Sequence, residues 1–294
     1  IKIEQIIESH KDIQKLDKNT KGPTLNPEQK KAILDVKKSH TFNTFLLDGV
    51  TGSGKTEIYL NLISDVIERG QDALILVPEI GLINQLNRRI EVRLGIKPSQ
   101  YHSGLTENER FITWKKIQES KTRIILGTRS AILAPFKNLG LIVVDEEHDI
   151  SYKQQEGFRY SARDLAVMRA KNFNIPIILG SATPSLESFN QHVNNKYKYL
   201  TLKKRAGNAK LPSMHLIDLN KDHSDDGLSK LLIKSMNEHI ENDGQILVFI
   251  NRRGYAPTLI CKTCNFIAEC SRCDSRMTLY LSKKLLLSFF YRVY

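Results

Sequence analysis

The sequence predicts an α/β protein built on a parallel sheet with helices on both faces. Five short apolar runs alternate with helix-length amphipathic stretches, each run is apolar throughout, and the first leads directly into GVTGSGKT (49–56). A strand buried on both faces must be apolar throughout, whereas a strand with one wet face alternates. Continuous runs separated by helices therefore imply parallel strands joined by crossovers.

The elements follow in order. Residues 1–24 carry Ile3, Ile6, Ile7, Ile13 and Leu16 at helical spacing and end in the breaker pair Gly22-Pro23, which predicts a short helix and a linker. Residues 25–203 form one lobe, with strands at FLLDG from Phe45, ALILVP from Ala73, RIILG from Arg123, LIVVD from Leu141 and IPIILGS from Ile175. KKRAGNAKLP from Lys203 is basic and rich in small residues, as a linker is. MHLIDL from Met214, an amphipathic helix over 228–241 and QILVFI from Gln245 open a second α/β unit over 204–260. A Cys-rich insert over 261–280 and a tail over 281–294 follow, with no internal repeat. Trp114, Met214 and Met236 are expected in cores, and His10, His40, His192 and His215 have no ligand-like neighbours.

Composition narrows the function. At 294 residues the chain fits two domains of about 100–200 residues each. Lys plus Arg outnumber Asp plus Glu by 44 to 32, a formal net charge of +12, which favours an anionic partner such as nucleic acid. No apolar run reaches the roughly 18 residues of a membrane span, and no charged-then-apolar leader precedes a cleavage site. A cytoplasmic protein with no membrane partner is expected. The first residue is Ile1 rather than Met, so an upstream segment is expected too.

GVTGSGKT matches the phosphate-loop pattern in full, after a strand and before the helical stretch EIYLNLISDVIERG. In that pattern Gly49, Val50, Thr51, Gly52, Ser53 and Gly54 turn backbone amides toward phosphates. Lys55 then reaches the β- and γ-phosphates, and Thr56 offers a hydroxyl to Mg2+. LIVVDEEH (141–148) ends an apolar strand in acids, so Asp145 is assigned to the metal and Glu146 to the attacking water. His148 lacks a partner at ligand spacing and is assigned a polar coupling role. ATP and Mg2+ are the implied cofactors, and water as nucleophile implies an NTPase.

Directly after the acids come Tyr152, Lys153, Phe158, Arg159, Tyr160 and Arg163. Rings stack on bases without reading sequence, and the cations can pair with phosphates. Four cysteines lie between Cys261 and Cys273. Cys261 with Cys264, and Cys270 with Cys273, make two Zn2+ half-sites, five residues apart, where four-cysteine sites commonly leave about 15–20.

Taken together, LNPEQKKAI (25–33), GVTGSGKTEIYL (49–60), LVPEIGLINQL (76–86), YHSG (101–104), GTRSAILAPF (127–136), VVDEEHDISYKQQEGFRYSARDLAVMRA (143–170), GSATPSLES (180–188) and NRRGYAP (251–257) resemble the motor of the bacterial primosomal replication restart helicases, the PriA family of superfamily 2. The resemblance runs from Leu25 to Leu279. It implies a RecA-like P-loop NTPase lobe and a partial second RecA-like lobe carrying a zinc-type insert. It further implies an ATP-driven 3′-to-5′ DNA helicase of replication restart, acting on forked and single-stranded DNA, with primosome and single-strand-binding proteins as partners.

By the same resemblance Gln29 contacts adenine, Ser181 and Thr183 link γ-phosphate status to lobe movement, and Thr128 and Arg129 touch the strand backbone. The family's aromatic-rich loop likewise follows its acidic box. Two departures shape the expectation: the family's second set of four zinc cysteines and the late arginine of its second lobe have no counterpart here. The chain is thus expected to bind ATP, Mg2+ and single strands, but to hydrolyse poorly and not to unwind. Two alternatives stay open, a nucleotide-regulated DNA-binding fragment without motor activity and a zinc-dependent nucleic-acid module with a vestigial phosphate loop.

Overall fold

The computed structural model describes residues 22–39, 41–206, 212–219, 221–222, 224–225, 228–249, 258, 261, 264, 266–270, 276–280 and 285–287. The helix expected within residues 1–24, the NRRGYAP motif and Cys273 lie wholly or mainly outside them. Contacts divide the chain into two compact units between Leu211 and Pro212.

The first unit holds a seven-stranded sheet, every neighbouring pair of which is parallel. Its strands are β1 (Asn43–Gly49), β2 (Asp72–Leu76), β3 (Ser99–Tyr101), β4 (Ile124–Gly127), β5 (Leu139–Asp145), β6 (Pro176–Ser181) and β7 (Tyr197–Leu202). They lie in the order β3-β4-β2-β5-β6-β1-β7. Successive side chains of β1 show why the central runs are apolar throughout. Phe45 and Leu47 pack into one buried cluster and Leu46 into the other, on the opposite face. Each such side chain contributes about 1.5–3 kcal/mol on burial.

The first face is covered by α1 (Pro27–Lys37), α2 (Lys55–Glu68) and α3 (Ile80–Leu94), through residues such as Val36, Ile58, Ile63, Ile83 and Ile90. The second face receives Ala162, Ala166 and Ala170 of α5 (Ala162–Phe173), whose small side chains let that helix sit close to the sheet. Between these lies α4 (Glu107–Gln118), and α6 (Leu186–Val193) follows β6. Local sequence sets the helix starts: Asn26 with Gln29, and Thr106 with Glu109, form capping boxes, while Ser161 and Ser185 cap α5 and α6.

Two strands were not expected. Both β3 and β7 are edge strands with one side open, so neither carries a continuous apolar run. Trp114 is half-buried on α4 rather than in the core.

In the second unit the helix expected over 228–241 is present as α7 (Lys230–Glu241), capped by Ser229. The other described elements are antiparallel ribbons, β8 (Ser224–Asp225) with β9 (Leu228–Ser229) and β10 (Thr278–Tyr280) with β11 (Leu285–Leu287). The strands expected at MHLIDL and QILVFI are absent over the described residues 214–219 and 245–249. A strand exists only by pairing, and neither run pairs with another among the described residues. Met214 is accordingly 90% exposed rather than a core residue, and Met236 is half-buried. No helix among the described residues is long and apolar enough to cross a membrane.

Candidate functional site

Strand order brings the chemistry together. β1 lies beside β6, and β6 beside β5, so Asp48 registers with Ser181 and Asp145 with Gly180. The carboxyl ends of these three strands thus form one edge carrying the phosphate loop, the acidic box and the GSAT segment. In open parallel sheets this is where ligands bind.

The phosphate loop is folded and tied down. Gly52 and Gly54 have φ of +79° and +81°, values other residues adopt only with strain. A side chain at Gly54 would also collide with the Gln29 amide. Lys55 donates to Gly49 O at 2.9 Å across the loop and has no ion pair among the described residues. Gly54 precedes α2 with no side-chain cap, which leaves the first-turn amides of that helix open to an anion. Ser53 Oγ is buried without a hydrogen-bond partner. An uncapped helix start, an unpaired lysine and an orphaned buried hydroxyl are what a phosphate would satisfy.

Gln29 sits against this loop. Its Nε2 donates to Ser53 O at 2.9 Å, and its Oε1 accepts from Asn26 N at 2.8 Å. The side chain expected at adenine therefore also holds the phosphate loop to the start of α1.

Asp145 ends β5 close to Lys55. Its Oδ1 accepts from the buried Tyr59 hydroxyl at 2.9 Å. Burial pushes the Asp145 carboxyl above its ordinary value, as does the nearby Glu146, while the Tyr59 hydrogen bond and Lys55 oppose the rise. The half-buried Asp145 carboxylate and the Thr56 hydroxyl, which accepts from Arg89 Nη1 at 3.4 Å, are both oxygen donors of the type Mg2+ takes. Glu146 has φ of +48°, an unfavoured conformation for a side chain of its size.

Of the remaining acidic-box residues, Glu147 faces inward and His148 lies at the surface. Glu147 is buried and accepts from Ser185 N at 2.7 Å, Ser185 Oγ at 3.0 Å, Ser188 Oγ at 2.7 Å and Arg163 Nη1 at 3.2 Å. His148 Nδ1 lies 2.7 Å from Ser181 Oγ, which also accepts from Thr183 N at 2.9 Å. The structure therefore brings His148, Ser181 and Thr183 into one hydrogen-bonded chain.

Two of the residues expected at DNA are corrected. Tyr152 is 1% exposed, its ring packed in the core and its hydroxyl donating to Asp145 O at 2.6 Å, so it cannot stack on a base. Arg163 is 8% exposed and paired with Glu147 and Asp164, so it is not available to a phosphate. Lys153, Phe158 and Arg159 are exposed, Phe158 by 77%. They stand on a small loop closed by the Lys153–Ser161 bridge and by Gln154 N donating to Tyr160 O at 2.8 Å. The half-buried Tyr160 ring lies 5.8 Å from that of Phe158.

Arg129 braces this loop, donating to Ser151 O at 3.1 Å and Lys153 O at 3.3 Å. Thr128 N donates to Tyr101 O at 3.3 Å. Glu147 and Tyr59 escaped sequence reasoning; Glu147 stands inside the DEEH motif, whereas no local signal marks Tyr59.

Cys261 and Cys264 are exposed and Cys270 is half-buried. Among the described residues no three ligating side chains converge.

Comparisons with known proteins bear on this arrangement. The DEAD/DEAH box helicase family matches residues 26–192. Replication restart protein PriA of Haemophilus influenzae is 46% identical over 263 residues, covering 90% of this chain and 36% of that protein. Replication restart protein PriA of Bacillus subtilis is 40% identical over 270 residues, covering 90% and 34%. The chain thus spans about a third of the length of these relatives. Among solved structures, RecG bound to a three-way DNA junction superposes with a TM-score of 0.50 at 22% identity, covering 70% of this chain and 28% of that one. The DUF1998 helicase MrfA gives 0.51 at 19%, covering 85% and 38%. At these identities the superpositions show the shared α/β fold alone.

Proposed function

We propose, on the premise that the chain belongs to the DEAD/DEAH box helicases, that its first unit is the ATP-binding lobe of a DNA helicase of replication restart. The observation that carries this reading is the hydrogen-bonded chain from His148 to Ser181 and Thr183, set beside the phosphate loop on one sheet edge. The 46% identity to a replication restart protein supports restart as the process, and DNA as the strand. Unwinding in the 3′-to-5′ direction, and contacts with primosome and single-strand-binding proteins, belong to the same proposal, as does a cytoplasmic location.

The phosphate-loop amides and Lys55 would hold the β- and γ-phosphates, with Gln29 at the adenine. Thr56 and Asp145 would hold Mg2+, which when bound neutralises charge on the phosphate oxygens. Glu146 orients the attacking water and takes its proton as the water oxygen bonds to the γ-phosphorus. The bond to the β-γ bridging oxygen breaks, and ADP leaves with the electron pair. Thr128 lies on the path of the strand, and Phe158, Arg159, Lys153 and Tyr160 offer rings and cations to it, through a loop that Arg129 ties to Ser151 and Lys153.

A Zn2+ site at Cys261, Cys264, Cys270 and Cys273 rests on the paired spacing alone, and metal analysis of the purified chain tests it.

Calorimetric titration with ATP and Mg2+ tests the nucleotide site. Binding should weaken at least about tenfold in Lys55→Ala, the loss of one charge-assisted phosphate contact. Equal affinity in both proteins would overturn the assignment.

A further inference from the structure

The sheet edge that carries the candidate strand contacts continues beyond Thr128. Thr128 N bonds to Tyr101 O, and Gly127 packs so tightly on Tyr101 that any side chain there would strike its carbonyl. Tyr101 ends edge strand β3. Beside it the first half of α4 encloses an open groove of about 440 Å3 lined by Tyr101, Glu107, Arg110, Phe111 and Trp114. Phe111 is 51% exposed there, and Trp114 is half-buried.

Arg110 adds the second observation. Its Nε is buried without a hydrogen-bond partner, and no carboxylate pairs with its guanidinium among the described residues. The Phe111 and Trp114 rings line one groove with the Arg110 guanidinium, while Tyr101 packs against the core beneath; rings with a cation beside them are the combination that grips single strands without reading sequence. Glu107 lines the same groove, so the groove as a whole is not an anion trap; the rings mark it as a place for a base.

The geometry points to this groove as a base-stacking subsite for single-stranded DNA, one step beyond Thr128 on a path that begins at Phe158 and Tyr160. Tyr160 reaches Arg129 O at 3.5 Å, Arg129 adjoins Thr128, and Thr128 bonds Tyr101, so the two aromatic patches are joined by a continuous run of contacts. The inference rests on the strand-binding reading above and adds a place to it.

Trp114 is the sole tryptophan of the chain, so its emission reports on this groove alone. Titrating the full chain with a dye-labelled thymidine oligonucleotide of about 12 nucleotides allows anisotropy and tryptophan emission to be followed together. A stacked base should quench Trp114 with the same midpoint as the anisotropy rise. Phe111→Ala should weaken binding about fivefold or more, and Arg110→Gln should weaken it while lowering the salt dependence by about one phosphate. An abasic oligonucleotide should bind without quenching.

Binding with unchanged Trp114 emission would overturn the groove and leave strand binding elsewhere on the edge intact. Quenching that persists with the abasic strand would overturn stacking. No anisotropy rise at all would overturn the strand-binding reading and the groove with it.

Discussion

His148 Nδ1 and Ser181 Oγ lie 2.7 Å apart, and the same hydroxyl accepts the Thr183 amide at 2.9 Å. One hydroxyl thus joins the acidic box to the segment after β6, the two stretches that must respond together for nucleotide state to be felt elsewhere. His148→Ala should keep nucleotide affinity within about threefold, the scale of one hydrogen bond, and abolish any effect of DNA on it. Nucleotide affinity measured with and without a single strand checks this; a DNA effect of wild-type size in the variant would contradict it.

Glu147 is a different kind of group, a buried carboxylate with donors from Ser185, Ser188 and Arg163. Removing it leaves the buried Arg163 guanidinium with Asp164 and Ser185 alone, a loss of part of the roughly 3–5 kcal/mol that breaking a buried pair costs. Glu147→Ala should lower the denaturant midpoint accordingly, and Glu147→Gln, which keeps an acceptor, by less. A loss under about 1 kcal/mol in the alanine variant would show that the network carries little.

Gly180 faces the Tyr59 hydroxyl with no room for a side chain. Gly180→Ala should push Tyr59 off Asp145 and lower both stability and Mg2+-dependent ATP binding. Tyr59→Phe removes the obstructing oxygen, so the double variant Gly180→Ala/Tyr59→Phe should be more stable than Gly180→Ala alone. Simple additivity of the two losses would place the steric cost elsewhere.

Asp72 gives the fold a pH dependence of its own. Burial pushes its carboxyl up from 3.8 to about 6, against the opposing pull of Arg123 at 3.0 Å. Because the folded value lies above the unfolded one, the folded chain holds the extra proton between them. That contribution is fully present below about pH 4 and is lost as pH rises through about 6. Relative to Asp72→Asn, wild type should lose up to roughly 3 kcal/mol between pH 4 and pH 7. Urea midpoints of both proteins across that range measure it, and parallel curves would refute it.

What the sequence made legible follows from what is local. The central strands were readable because both faces of β1 are buried, Phe45 and Leu47 on one and Leu46 on the other. The phosphate loop was readable because Gly49 through Thr56 act within one turn of chain. Edge strands β3 and β7 were not, since an open side removes the apolar run. The aromatic segment told that rings were present but not which faced inward: Tyr152 is held beneath by the Asp145 carbonyl, while Phe158 is left outside. Tyr59 meets Asp145 across 86 residues, a pairing that no local pattern announces.

The central claim is that nucleotide at the phosphate loop alters the grip on a single strand. Its most direct test is the affinity of the chain for an oligonucleotide with and without ATP and Mg2+, in wild type and in Lys55→Ala. The account predicts a nucleotide-dependent shift in wild type that vanishes in the variant. Equal DNA affinity in both nucleotide states, or a shift that survives Lys55→Ala, would contradict it.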